Sequence, residues 1–459
     1  MVTKPSGLMR IVLLAGLVAL AACTSRSSPD QAAGLRCSLE QADCSLVSGY
    51  SGNSVADGVS GATIAGGGQR GTPNRVSGDH GTVGGGEANT AGERSTVAGG
   101  SGNTALHFNA TVGGGADNLA DGEETTVGGG LKNTASSRFS TVGGGSANTA
   151  SDYNATVGGG SGNRAAFQFA TVGGGTLNLA DSTAAVVAGG DHNLAHGPNS
   201  AILGGVNNTA QGDTAAIGGG AGNVAGGAYA AVPGGFANQA DGDYSFAAGR
   251  SAVVSASHPG TFLFADGSLF PFPSVAADEF AVRATGGVRF VTALDASGSP
   301  LAGVRLSPGS GAWETLSDAS AKAGFAQVDG RQVLEQLTSM TISTWYYRGQ
   351  GPAVRHIGPT AQDFRAAFGL GQDGRYISTV DEEGVALAAV QALYRLVQQD
   401  RGGSATTGST DSRITSLERR LAFSNGLAAA ALLLAVLALG WRRGGARRNG
   451  PRRGANGPS

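Results

Sequence analysis

Apolar residues between positions 61 and 252 are small and return at a fixed interval. A Thr-Val doublet or its equivalent starts at Thr82, Thr96, Thr111, Thr126, Thr141, Thr156, Thr171, Val186, Ala201, Ala216 and Ala231, a period of fifteen residues with a single step of fourteen. A Gly-Gly pair lies two residues after the valine, as at Gly144-Gly145, and three residues further comes an asparagine with alanine two positions beyond it, as at Asn148 and Ala150. A unit this short cannot bury its apolar face alone, so the repeat predicts coils stacked on one another. Valine and alanine are then the inward residues. Glycine accepts positive φ at the corners, and asparagine tolerates the left-handed region and can form amide ladders between coils. Aromatics at the variable positions, among them Phe108, Phe139, Tyr153, Phe167, Phe169 and Tyr229, are read as surface packing rather than ligand contacts.

The pattern changes on both sides. Between 260 and 290 apolar and polar residues alternate, a strand signature, and residues 253–316 are read as a β-rich neck. A helix is predicted to end near Gln399, and residues 401–412 make a Gly/Ser/Thr linker. Ile414, Leu417 and Leu421 then have the three-four spacing of a short coiled-coil seam. Residues 421–441 span 21 positions, close to the ~20 that cross a bilayer as a helix. Residues 413–441 are therefore expected to be a coiled coil and a transmembrane helix. The tail 442–459 carries Arg442, Arg443, Arg447, Arg448, Arg452 and Arg453, which favour the cytoplasmic side. At the other end Lys4 and Arg10 precede an apolar run over 11–22 that closes on Leu20-Ala21-Ala22-Cys23. Residues 1–22 read as a lipoprotein signal with Cys23 acylated, the alternative being an ordinary secretory signal cut near Ala22. Residues 23–60 follow as a linker.

Composition narrows the class. The chain has 459 residues, 80 of them glycine and only 14% charged, unlike an ordinary globular enzyme. The repeats account for the glycine and resemble the head of trimeric autotransporter adhesins, a left-handed parallel β-roll with one coil per unit. Thirteen or so such coils would make a rod about 60 Å long. The resemblance implies a homotrimer, which also suits the physics: a narrow core of few, small side chains leaves one chain marginally stable. Calcium-binding nonapeptides, collagen and phosphate loops each need a period or motif that is absent. Cys37 and Cys44 are the other two cysteines, able to close a small loop in an oxidising compartment. The net charge of −2 gives no support for a nucleic-acid partner, and no cofactor or metal is expected.

The candidate chemistry lies at Ser317-Asp318-Ala319-Ser320-Ala321-Lys322. A hydroxyl becomes a nucleophile when a neighbouring base takes its proton, and an amine shielded from water can be that base. A step of five residues on an ideal helix leaves two side chains about 140° apart, so the pair requires Ser317 at or before a helix N-cap with the lysine folding back.

The same segment carries a longer pattern. Ser317-Asp318 with Lys322 is followed by Val328-Asp329-Gly330-Arg331, Ile342-Ser343-Thr344-Trp345-Tyr346-Tyr347, Arg355-His356-Ile357-Gly358-Pro359, Ala361-Gln362-Asp363-Phe364 and Gly384-Val385-Ala386-Leu387. From 317 to about 399 this resembles the self-cleaving intramolecular chaperone domain of phage endosialidase tailspikes and related tail fibres. The resemblance implies that Ser317 attacks the carbonyl before it, that Lys322 is the base, and that the scissile bond is Leu316-Ser317. Ser320 departs from the family, where arginine or another long polar residue is common, which puts the cleavage rate in doubt. His356 is read as structural, and no oxyanion donor can be assigned from sequence.

The reading is therefore a mainly β chain: a left-handed parallel β-roll over 61–252, a neck, a small α+β chaperone and peptidase domain over 317–400, and a C-terminal transmembrane helix. Its function is that of an exported, membrane-attached trimeric surface fibre in the bacterial envelope, adhesin-like, whose C-terminal domain promotes assembly and cuts its own chain once. The identity of any surface ligand stays open. The alternatives are an uncleaved structural fibre or a phage tail-fibre-like protein.

Overall fold

The computed structural model describes residues 34–36, 44–403 and 418. The expected signal at 1–22, the lipid site Cys23, Cys37, the seam residues Ile414, Leu417 and Leu421, the apolar run and the arginine tail lie outside the described residues. Among the described residues no helix is long and apolar enough to cross a membrane. The chain divides into two compact units, one reaching to Val288 and including Leu306–Ala312, the other formed by Arg289–Arg305 and the residues from Trp313 onward.

The first unit is a parallel β-solenoid, and one coil explains all of them. Thr141–Val142 and Thr149–Ala150 are two-residue strands, paired in parallel with the next coil at Val142↔Val157 and Ala150↔Ala165. Val142, Ala150 and Ala155 have no exposed surface, because alternation points every second residue of so short a strand inward. Asn148 is buried between the strands, and its main-chain N–H donates to the Asn133 side-chain oxygen at 3.0 Å. Its Nδ2 donates to the Gly144 and Gly160 carbonyls at 2.8 and 2.9 Å, and its Oδ1 accepts from Asn163 N–H at 3.0 Å. Each asparagine thus ties its coil to its own turn and to the following coil through its side chain, and to the preceding coil through its main-chain N–H. The pattern continues to Asn238, whose Oδ1 accepts from Ala252.

Glycine takes positive φ at the corners as expected, but the left-handed residues other than glycine are not the ladder asparagines. They fall on the residue before the ladder asparagine, as at Ala147 with φ 56, and on the residue two before the valine strand, as at Asn154 with φ 54. The ladder asparagine is therefore selected for its amide and not for its tolerance of positive φ. At Gly145, φ is 93, and a Cβ there would run into the Gly160 carbonyl oxygen. Of the variable aromatics, Phe139, Tyr153 and Phe169 meet edge to face, with centroids 5.5 and 5.8 Å apart.

Solenoid strands run from Ser45–Val47 to Phe280–Arg283, beyond 61–252 at both ends. Leaving aside the N-terminal hairpin strand Gly34–Arg36 and the short Gly235–Phe236, the larger sheet supplies one strand to each of sixteen turns. The outer coils escape the repeat because their turns carry insertions: Leu46 pairs with Thr63 and Thr63 with Thr82, steps of seventeen and nineteen residues. Much of the expected neck is thus solenoid. Phe246, Phe262 and Phe280 stack across it at 4.5 and 4.8 Å. Asp266 there accepts from Thr285 Oγ1 at 2.6 Å and pairs with Arg283 at 2.9 Å. These bonds, that from Thr285 foremost, hold its carboxyl well below the usual carboxylate range.

The second unit begins with a three-stranded sheet, the middle strand Pro300–Leu306 lying between Val288–Leu294 and Trp313–Thr315. Three helices follow. Gly330–Ser339 is capped by Asp329, and Ala361–Phe368 by Thr360 with Gly369 left-handed at its end. Thr379–Gly403 is the long one. Val333, Phe364, Val385 and Ala389 form their common core. The first and last approach so closely that a Cβ on Gly330 would lie 2.8 Å from the Ala392 Cβ. A hairpin of Ser343–Trp345 and His356–Gly358 completes the unit. His356 sits in it between the Trp345 ring, 4.7 Å away, and Gln350 at 2.8 Å.

The Ser317 and Lys322 site

The site grows out of the last strand of the sheet. Leu316 continues Trp313–Thr315 and donates its N–H to the Gly303 carbonyl at 3.0 Å. The chain then turns. Asp318 is extended, with φ −70 and ψ 136, and caps a short 3-10 helix over Ala319–Ala321 by accepting from Ser320 N–H at 2.7 Å and Ser320 Oγ at 2.6 Å. Lys322 ends that turn, its N–H donating to the Ala319 carbonyl at 3.2 Å. A single tight turn with three residues per revolution folds the lysine back, and its Nζ donates to Ser317 Oγ at 2.6 Å.

The two residues singled out from sequence are thus in direct contact, with Ser317 just outside the cap. Both are exposed in the single chain, whereas a base role calls for shielding from water. The structure adds Asp318, to which the sequence reading gave no role. Ser320, whose hydroxyl and N–H both bond to it, holds its carboxyl below the usual carboxylate range. The signal was present, since Asp followed two residues later by Ser is a turn-capping pair. Ser320, which departs from the family, is here the partner of that cap.

Leu316 and Ser317 also line a cavity of about 440 Å³ together with Arg289, Gly303, Arg305 and Glu314. Arg305 Nε donates to Glu314 Oε2 at 2.6 Å. Phe290 and Trp313 bring their rings to 5.8 Å, so by alternation their neighbours Arg289 and Glu314 lie on the opposite face. His356, by contrast, belongs to the separate hairpin.

A parallel β-solenoid, followed by a unit in which a serine hydroxyl meets a lysine amine, is consistent with a tailspike-like or fibre-like protein. Residues 317–369 match the family described as chaperone of endosialidase, a peptidase family. The match begins at Ser317 itself and includes both members of the pair, the two capped helices and the hairpin. None of the curated proteins compared with the chain matches it.

Proposed function

We propose that the protein is an exported, homotrimeric fibre whose C-terminal unit assists assembly and cuts its own chain at Leu316-Ser317. The observation that carries this is the 2.6 Å contact of Lys322 Nζ with Ser317 Oγ at the first residue of the family match. Ser317 Oγ attacks the Leu316 carbonyl carbon while Lys322 takes the hydroxyl proton. The bond from Leu316 carbon to Ser317 nitrogen breaks, and the proton passes to the leaving amine. Water then hydrolyses the ester, leaving a carboxylate on Leu316 and a free amine and hydroxyl on Ser317.

A trimer is supported by the long helix. One face packs Val385, Ala389 and Ala392 against the unit's core, yet Leu387, Val390 and Tyr394 on another are 66%, 65% and 65% exposed. With Val380 and Val397 they follow the three-four spacing of a coiled-coil seam, and a helix apolar on most sides is one that buries itself in an assembly.

Export is supported by the signal-like N-terminus and by Cys44, which is disulfide-bonded. Disulfides persist in oxidising compartments. Arg36 pairs with Ser45, and the next residues along the sequence are Cys37 and Cys44, the proposed partners. A lipid on Cys23 and a helix over 421–441 would anchor the two ends to membranes, and the cut would part those anchors. Adhesion through the solenoid belongs to the same reading, with an unidentified surface ligand.

Mass spectrometry of the mature protein tests the proposal. The expected result is an acylated Cys23 and a new N-terminus at Ser317, the latter lost in Ser317→Ala and Lys322→Ala. A wild-type chain found only whole would favour the uncut structural fibre instead.

A further inference from the structure

Cleavage as proposed above creates a main-chain carboxylate at Leu316 that the intact chain does not have. We infer that Arg289, with Arg305 beside it, forms the binding site for that new chain end. The inference rests on the proposed cut at Leu316-Ser317.

Three observations point to it. Arg289, Arg305 and Leu316 line one cavity of about 440 Å³. The face assignment agrees, for Arg289 alternates with Phe290 and Glu314 with Trp313, while Arg305 meets Glu314 directly at 2.6 Å. Finally, Leu316 N–H is already bonded to Gly303 O at 3.0 Å, so the strand that ends at the cut is held in the sheet with its new terminus against the cavity.

The two arginines differ in readiness. Arg305 is engaged by Glu314, whereas Arg289 has no carboxylate partner among the described residues. A guanidinium is always charged and presents its donors in a fork that matches a carboxylate. The two carboxylates that line the cavity are already engaged, Glu314 by Arg305 and Asp318 by Ser320, so what the cut adds is at Leu316, whose carbonyl is neutral beforehand. Afterwards it offers a full negative charge at the same atom position. The arginine pair therefore favours the hydrolysed product over the ester that precedes it, making the cut hard to reverse and fastening the frayed end of the outer strand.

Carboxypeptidase trimming of the cut, full-length-expressed protein tests this, with the mass of the fragment ending at Leu316 followed over time. In wild type that end is expected to resist trimming, and Arg289→Gln to be trimmed about tenfold faster, the size of effect one charge-assisted bond supplies. Arg289→Lys should restore part of the protection. In wild type alone, added salt should raise the trimming rate toward that of Arg289→Gln, a reading that does not depend on the variants folding. Equal trimming of cut wild type and Arg289→Gln, with no response to salt, overturns this inference and leaves the cleavage itself standing. A wild-type chain that remains whole overturns the cleavage and this inference with it.

Discussion

Asp318 is where the chemistry of the site depends on one carboxylate. Its side chain fixes the turn that returns Lys322 to Ser317, by bonds to Ser320 N–H and Oγ. Those bonds lower its pKa in the folded chain below the unfolded value. The cap's contribution is therefore complete at neutral pH, weakens as pH falls below the usual carboxylate value of about 3.9, and vanishes below the lowered folded value. Hydrogen exchange of the peptide covering 317–322 should show protection of Ser320 N–H that is lost in this acid window in wild type. In Asp318→Asn, which keeps an acceptor but cannot titrate, the ratio to intrinsic exchange should stay level. A wild-type ratio equally level down to the lowest pH would mean that the carboxylate does not hold the turn.

Within the solenoid the working element is the coil with its asparagine. Removing the Asn148 amide leaves Asn163 N–H without its acceptor and the Gly144 carbonyl without a donor, and takes one of two donors from the Gly160 carbonyl, which keeps Ser146 N–H. With an unmet buried group costing about 1–3 kcal/mol, and these sites only partly buried, Asn148→Ala is expected to cost about 2–4 kcal/mol. Denaturant unfolding measures it, and a loss under half a kcal/mol would show that the ladder is not what joins the coils. This element was legible in sequence wherever the period was unbroken, because the identity of inward residue, corner glycine and amide recurs in every unit. At 45–64 and 246–283 the same ladder of strands persists, but insertions between strands hide it, since register lives in the pairing and not in the spacing. The site divides similarly. Ser317 and Lys322 stand in a local motif, whereas Gly303 meets Leu316, and Arg289 shares a cavity with it, through sheet register, which no local motif records.

At the scale of the molecule, the long helix Thr379–Gly403 is apolar beyond what one chain can use. Leu387→Asp together with Val390→Asp changes none of the core residues Val333, Phe364, Val385 and Ala389, so the unit should keep its helical content. Light scattering should then report a shift from trimer toward monomer, and cleavage should fall with it if assembly supplies the cover for Lys322. An unchanged trimer would place the assembly contacts elsewhere, and full cleavage in a monomer would separate the cut from assembly altogether.

The asparagine ladder also makes the solenoid a ruler. Each Asn N–H needs only the side-chain oxygen of the coil before it, whichever coil that is, as the successive bonds of Asn118, Asn133, Asn148 and Asn163 illustrate. Deleting or duplicating one fifteen-residue unit therefore rejoins the same contacts and moves everything beyond it by about 4.8 Å, the spacing of neighbouring strands. Reach becomes a quantity that can be counted in repeats, and adjusted in the gene one notch at a time without redesigning any surface.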